Sequence, residues 1–174
     1  MENTQADIGR FGELHATLKL MLGGWHVNNL NGDATNMPNS DLLAYRNDGK
    51  SLFISVKATN NIDEVRLTNT GIEGAQIFNM KKGGPPANFV MFITGANSLS
   101  PRFFTLPIDS AECLFKRVRD VGYERKKSRG SSIRYPYFLI HTRQPKRRKR
   151  KHQSDENFTI ELLKFEGLGP LKEG

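Results

Sequence analysis

Residues 41–57 read DLLAYRNDGKSLFISVK, a pattern of two short strands around a tight turn. Leu52, Ile54 and Val56 alternate with Ser51, Phe53, Ser55 and Lys57, the period-two signature of a half-buried strand. Asn47-Asp48-Gly49 supplies the turn. Its length decides the rest, because a slip of one residue turns every side chain to the other face. A two-residue turn at Asp48-Gly49 pairs Asp41 with Val56 and points it away from Ser55 and Lys57. A three-residue loop, Asn47-Asp48-Gly49, sets Asp41 opposite Ser55 and on the same face as Lys57. That loop wants glycine at its last, left-handed position, where Gly49 stands. In the second register a carboxylate and an ammonium share a sheet edge, an arrangement suited to a divalent metal and an attacking water. The plainer reading is a surface hairpin, with Asp41 at a loop edge and Lys57 extended into solvent.

Upstream, residues 3–22 carry Ile8, Phe11, Leu14, Leu18, Met21 and Leu22 on one stripe at helical spacing. This predicts an amphipathic helix, stopped by Gly23-Gly24. Gly9 and Gly12 lower helix propensity and point to close packing against a neighbour. Glu13 lies about 130° from the stripe centre, on the side of Ala16 and Leu20. It therefore borders a second contact surface or is an ordinary exposed glutamate. Residues 25–28 form a short strand, and residues 29–40 a polar loop in which Asp33 reads as a turn residue.

Downstream, residues 58–69 are a polar connector. A helix of about ten residues starts at Thr70, and Glu73 fits a capping box on it. Gly83-Gly84-Pro85-Pro86 ends that helix. Residues 88–94 are a buried central strand, with residues 102–106 as hairpin partner. Asp109 caps a helix running through Asp120, with Leu114 and Val118 inward and Lys116, Arg117 and Arg119 outward. Residues 125–130 read as a loop and residues 137–141 as a strand. Ser154 caps a last segment containing Phe158, Leu162 and Phe165, for which helix and strand are both open. Strands with helices between them make a mixed central sheet covered by helices.

At 174 residues and 37% hydrophobic, the chain suits one domain with a core. No apolar run approaches a membrane span, and the first residues carry no secretory signal pattern. The lone Cys113 excludes an internal disulfide, and a reducing cytoplasm is the default compartment. His15, His26, His141 and His152 are too scattered for a zinc site. Charge is uneven: residues 1–115 carry 9 basic and 11 acidic side chains, residues 116–174 carry 17 and 7. The basic final third fits a polyanionic partner, most simply nucleic acid, and equally an anionic membrane surface or a nuclear-import signal.

Gly9-Arg10-Phe11-Gly12-Glu13, the Ala/Leu helix after it, Gly24-Trp25-His26-Val27 and Ser40-Asp41-Leu42-Leu43 lead into the Asp41…Lys57 hairpin. This succession resembles the PD-(D/E)xK nuclease superfamily, over residues 3–106. The resemblance implies an α/β, restriction-endonuclease-like fold: a mixed central sheet flanked by helices with an αβββαβ core. It implies a single domain, with residues 1–122 as the nuclease-like core and 123–174 as a basic C-terminal extension. In that family the aspartate and the (D/E)xK acid bind one or two Mg²⁺ ions, with Mn²⁺ as the alternative. The lysine polarises the phosphate or the water, and a glutamate on the first helix joins the metal site. Carried over, these roles fall on Asp41, Lys57 and Glu13, with the carbonyl of Val56 as a further ligand.

Two departures stand out. The family's proline before the aspartate is Ser40, with Pro38 upstream, and the acid position is Ser55, in Ser55-Val56-Lys57. Some restriction endonucleases of this superfamily also read S-x-K and recover the acid from the following helix. Glu73 is the candidate here, with Gln76 one turn later resembling a helix glutamine of some nuclease branches. The resemblance thus implies a metal-dependent DNA endonuclease of restriction, repair or recombination type. A catalytically inactive nucleic-acid-binding protein that kept the fold is the alternative. Arg125, Lys126, Lys127 and Arg129, and then Lys146, Arg147, Arg148, Lys149, Arg150 and Lys151, would grip phosphates. The expected partner is DNA, without a membrane, and a homodimer would suit double-strand cutting.

Overall fold

In the computed structural model, the residues described are 4–31, 39–68, 87–128, 137–142 and 153–172. Thr4 opens α1 (Gln5–Leu22) with a reciprocal capping box: its side chain accepts the Asp7 N–H, and the Asp7 carboxylate accepts the Thr4 N–H at 2.9 Å. Gly23 and Gly24 close the helix, Gly24 at a φ of 83° that disfavours a side chain. The apolar stripe of α1 does not form the core contact expected of it. The buried residues are Gly12, Ala16 and Leu20, whereas Phe11, Leu14, Leu18, Met21 and Leu22 face solvent. Ile8 alone of the stripe packs against the core. Gly12 explains the choice, because a Cβ there would meet the Ala58 Cβ at 2.4 Å. The helix lies too close to its sheet for a large side chain to fit beneath it. Gly9 has no such neighbour.

β1 (His26–Asn29), β2 (Leu42–Tyr45) and β3 (Ser51–Thr59) form an antiparallel meander. The β2–β3 register pairs Leu42 with Ile54 and Tyr45 with Ser51, so the connection is the three-residue loop Asn47-Asp48-Gly49. Gly49 takes a φ of 88°, and Arg46 N–H donates to the Lys50 carbonyl at 2.9 Å. The paired register stops at Leu42, and the carboxylate of Asp41 just before it accepts the Ser55 hydroxyl. β4 (Glu64–Thr68) follows, where a plain connector was expected. Its partner is far away in sequence: it pairs antiparallel with β7 (Tyr137–His141), burying Val65 and Ile140. β5 (Phe89–Thr94) runs parallel to β3, and β6 (Arg102–Pro107) returns antiparallel to it. The main sheet therefore has the order β1-β2-β3-β5-β6 and is mixed.

Each face has its own core. α1 covers Leu42, Ala44, Ile54 and Val56, together with Trp25, Leu168 and Leu171. The other face presents Val90, Phe92, Phe104 and Leu106 to α2 (Ile108–Ser128) and α3 (Gln153–Leu163). Leu114, Phe115 and Leu162 are fully buried there. Each such side chain contributes about 1.5–3 kcal/mol of transfer free energy.

α2 runs to Ser128, beyond the expected end at Asp120; it accommodates Gly122, and no proline falls between Asp120 and Ser128. Arg125, Lys126 and Lys127 thus lie within the helix instead of in a loop. Asp109 lies in its first turn. Arg119 is not turned freely outward; it is mostly buried and pairs with Asp120 at 3.0 Å. Ser154 lies inside α3 instead of capping it. Beyond α3 the chain lies along β6, with Gly167 N–H on the Phe103 carbonyl at 2.8 Å, and ends in α4 (Gly169–Lys172). Asp33, the expected helix from Thr70 with Glu73 and Gln76, Arg129 and residues 146–151 lie outside the described residues. Among the described residues no helix is long and apolar enough to cross a membrane.

Candidate functional site

β3 runs past the start of β2, and this overhang creates the site. Asp41 immediately precedes β2, its N–H on the Ile54 carbonyl at 2.9 Å and its carbonyl accepting the Leu30 N–H at 2.9 Å. The next outward-facing donor of β3, the Val56 N–H, has no strand left to meet. Asp41 Oδ2 accepts it at 2.6 Å and also accepts the Ser55 hydroxyl at 3.3 Å. Charge-assisted bonds of this kind hold a carboxylate in one orientation. N–H and C=O of one strand residue point to the same side, so the Val56 carbonyl leaves β3 on this same edge.

Glu13 reaches the edge from α1. Its neighbour Gly12 packs against Ala58 and Val56, so the glycine that brings the helix down on β3 also brings the acid with it. Asn31 Nδ2 donates to Glu13 Oε1 at 3.1 Å and to Asp41 Oδ1 at 3.0 Å. Asn29 Nδ2 donates to Glu13 Oε2 at 2.9 Å, while Asn29 Oδ1 accepts the Asn31 N–H at 2.8 Å. Two carboxylates from separate elements are therefore held one amide nitrogen apart.

Glu13, Asp41, Ser55 and Val56 come together. Ser55 is 6% exposed and spends its hydroxyl on Asp41, so it positions that acid but adds no charge. Lys57 lies two residues along the same face, about 7 Å from Ser55 between Cα atoms. It is exposed and makes no hydrogen bond or ion pair with a described residue. The face it shares continues past Leu43 to a stacked pair, His26 and Tyr45, with ring centroids 5.2 Å apart.

Asn29 and Asn31 were hidden in what read as a polar loop. The signal was their place at the end of a strand that pairs with the hairpin: Asn29 closes β1 opposite Leu42, which carries Asn31 alongside Asp41.

No protein-family model matches the chain, and no curated protein matches it. Among solved structures the chain is similar to a bacterial homing endonuclease, I-Ssp6803I. The identity is 18%, the TM-score 0.45, and the match covers 94% of this chain and 95% of that one. A likeness of that degree is too distant to assign roles to residues.

The donors themselves fit a hard divalent cation: two carboxylates and a backbone carbonyl, all oxygen. Among the described residues no cluster of three or more His, Cys, Asp or Glu side chains is present. Mg²⁺ tolerates so few protein ligands, since it keeps several waters and binds through one or two carboxylates. Asn31 Oδ1 is buried with no hydrogen-bond partner among the described residues.

Proposed function

We propose that this protein is a metal-dependent DNA endonuclease of the PD-(D/E)xK type, in a variant that carries S-x-K. The reading is supported above all by the pairing of Glu13 and Asp41 across Asn31 Nδ2, at 3.1 and 3.0 Å. Two like charges drawn together from a helix and a strand head cost free energy unless something positive is shared between them. Glu13, Asp41 and the Val56 carbonyl would hold Mg²⁺ or Mn²⁺, with Glu73 and Gln76 as candidates to complete the set. When bound, the cation supplies a hydroxide at neutral pH and neutralises charge on the phosphate.

The chain's own groups do the rest. Val56 N–H and Ser55 fix Asp41 Oδ2, so that Oδ1 is the oxygen turned toward Glu13. Lys57 brings a positive charge to the face on which the phosphodiester would lie. Basic residues 125–129 and 146–151 supply non-specific attraction to the backbone.

Plasmid and single-stranded DNA incubated with Mg²⁺ or Mn²⁺ should be cleaved, and chelation should stop it. Asp41→Asn and Lys57→Ala should each lower the rate by about 10²–10³ while sparing DNA binding. Wild-type protein that binds DNA but never cuts it would instead support the inactive binding protein, a reading that the uncharged Ser55 favours. Replacing the six basic residues 146–151 by Ser should flatten the salt dependence of binding. Substitution is the cleaner test, because truncation would strip Phe158 and Leu162 from the core.

A second copy is the partner proposed for the exposed stripe of α1. Phe11, Leu14, Leu18 and Met21 are spaced 3-4-3, which maps onto itself when a helix is reversed about a two-fold axis. With Leu22 they line one exposed apolar face of the helix, a feature that marks interaction surfaces. Sedimentation velocity of wild type against a Leu14→Ser/Leu18→Ser variant tests this, and a wild type that stays monomeric at every concentration would sink it.

A further inference from the structure

We infer that Asn31 is a further oxygen ligand of the cation, and that its carboxamide turns over when the cation arrives. The inference deepens the metal-centred reading above and rests on it. An amide nitrogen carries two hydrogens, and Asn31 Nδ2 has two carboxylate oxygens at 3.1 and 3.0 Å to receive them. Those hydrogens place partial positive charge in the gap between two anions, where a cation would otherwise be drawn. The opposite end of the same group, Oδ1, is buried and has no hydrogen-bond partner among the described residues. The carboxamide is therefore fully used on its donor side and unused on its acceptor side.

Mg²⁺ or Mn²⁺ held by Glu13 and Asp41 would disfavour the amide hydrogens beside them and favour the carbonyl oxygen, the hard donor such ions prefer. Nitrogen and oxygen exchange places by rotation about χ2, a soft terminal torsion. The backbone need not move for this. Asn31 N–H is tied to Asn29 Oδ1 at 2.8 Å, and Leu30 N–H to the Asp41 carbonyl at 2.9 Å. Asn29 keeps its own bond to Glu13 Oε2, so Glu13 stays tethered while the amide turns.

Two measurements on the full-length protein test this, with metal alone as probe. In NMR, the Asn31 side-chain NH₂ resonances should be shifted by their bonds to carboxylates in metal-free protein and should move away from that position as Mg²⁺ saturates. In Mn²⁺ titrations followed by electron paramagnetic resonance, Asn31→Ala should bind about 10-fold more weakly than wild type. Asn31→Asp, nearly isosteric and rich in oxygen, should bind at least as tightly. Its thermal midpoint, lowered without metal by three converging carboxylates, should rise more with Mn²⁺ than that of wild type.

Unmoved Asn31 resonances at saturating Mg²⁺ would overturn the inference. So would wild-type Mn²⁺ affinity in Asn31→Ala when Asp41→Asn has lost binding. In those cases the metal site stands and only the role of Asn31 falls. If wild-type protein binds no Mn²⁺, or binds it equally well as Asp41→Asn, the metal-centred reading fails and the inference with it.

Discussion

α1 and α2 both carry large apolar side chains and use them in opposite ways. α2 buries its large side chains: Leu114 and Phe115 are fully enclosed and Val118 nearly so. α1 buries Gly12, Ala16 and Leu20, while Leu18 is 57% and Leu22 78% exposed. The difference lies in the distance each helix keeps from the sheet. α2 stands off far enough for aromatic and aliphatic side chains to fill the gap. α1 is drawn down onto β3, where the Ala58 Cβ leaves no room for any side chain at position 12. That close approach is also what lets Glu13 reach Asn31. A hydrophobic stripe shows where a helix is greasy; only the neighbour decides which side is covered.

The contrast can be broken most severely at α2. Phe115→Ala removes a side chain buried among Phe92 and its neighbours and should cost about 3–5 kcal/mol in urea unfolding. A cost near zero would mean that the second core is not organised around α2.

Next in size is Gly12→Val. Its side chain has to displace Ala58, at a cost of about 1–3 kcal/mol. Because Glu13 would be lifted away with the helix, Mn²⁺ binding should weaken in parallel. Loss of stability with binding untouched would uncouple the glycine from the site.

Gly9→Ala sharpens the same point with the opposite sign. Nothing stands within 4 Å of a Cβ at position 9. With open space around its Cβ, alanine in this half-buried helical position should stabilise by about 0.5–1 kcal/mol, read as a rise in the urea midpoint. Destabilisation would reveal a neighbour at Gly9.

The smallest effect belongs to Leu14→Ser and Leu18→Ser, each expected to shift stability by no more than about 0.5 kcal/mol in dilute monomer. A larger loss that grows with protein concentration would assign the stripe to contact between copies.

The hairpin was legible because local chemistry fixes it. Gly49 can take the left-handed position that a three-residue loop demands, and the alternation from Ser51 onward then dictates which side chains share a face. The pairing of β4 with β7 was not, since their partners lie some seventy residues apart and polar residues flank β4. Glu13 was visible as an acid on the Ala16 and Leu20 side of its helix. Its link to Asp41 was not, because that link runs through Asn31, a residue with no pattern of its own.

Sequence alone determined the strand alternation and the three-residue turn, since these follow from periodicity and from backbone angles that single residues allow. The tertiary structure decided which face of α1 is buried and how the acids meet. Both depend on how closely a helix can approach a particular strand, which is settled by one missing Cβ at Gly12 opposite Ala58 and is invisible until the two are brought together.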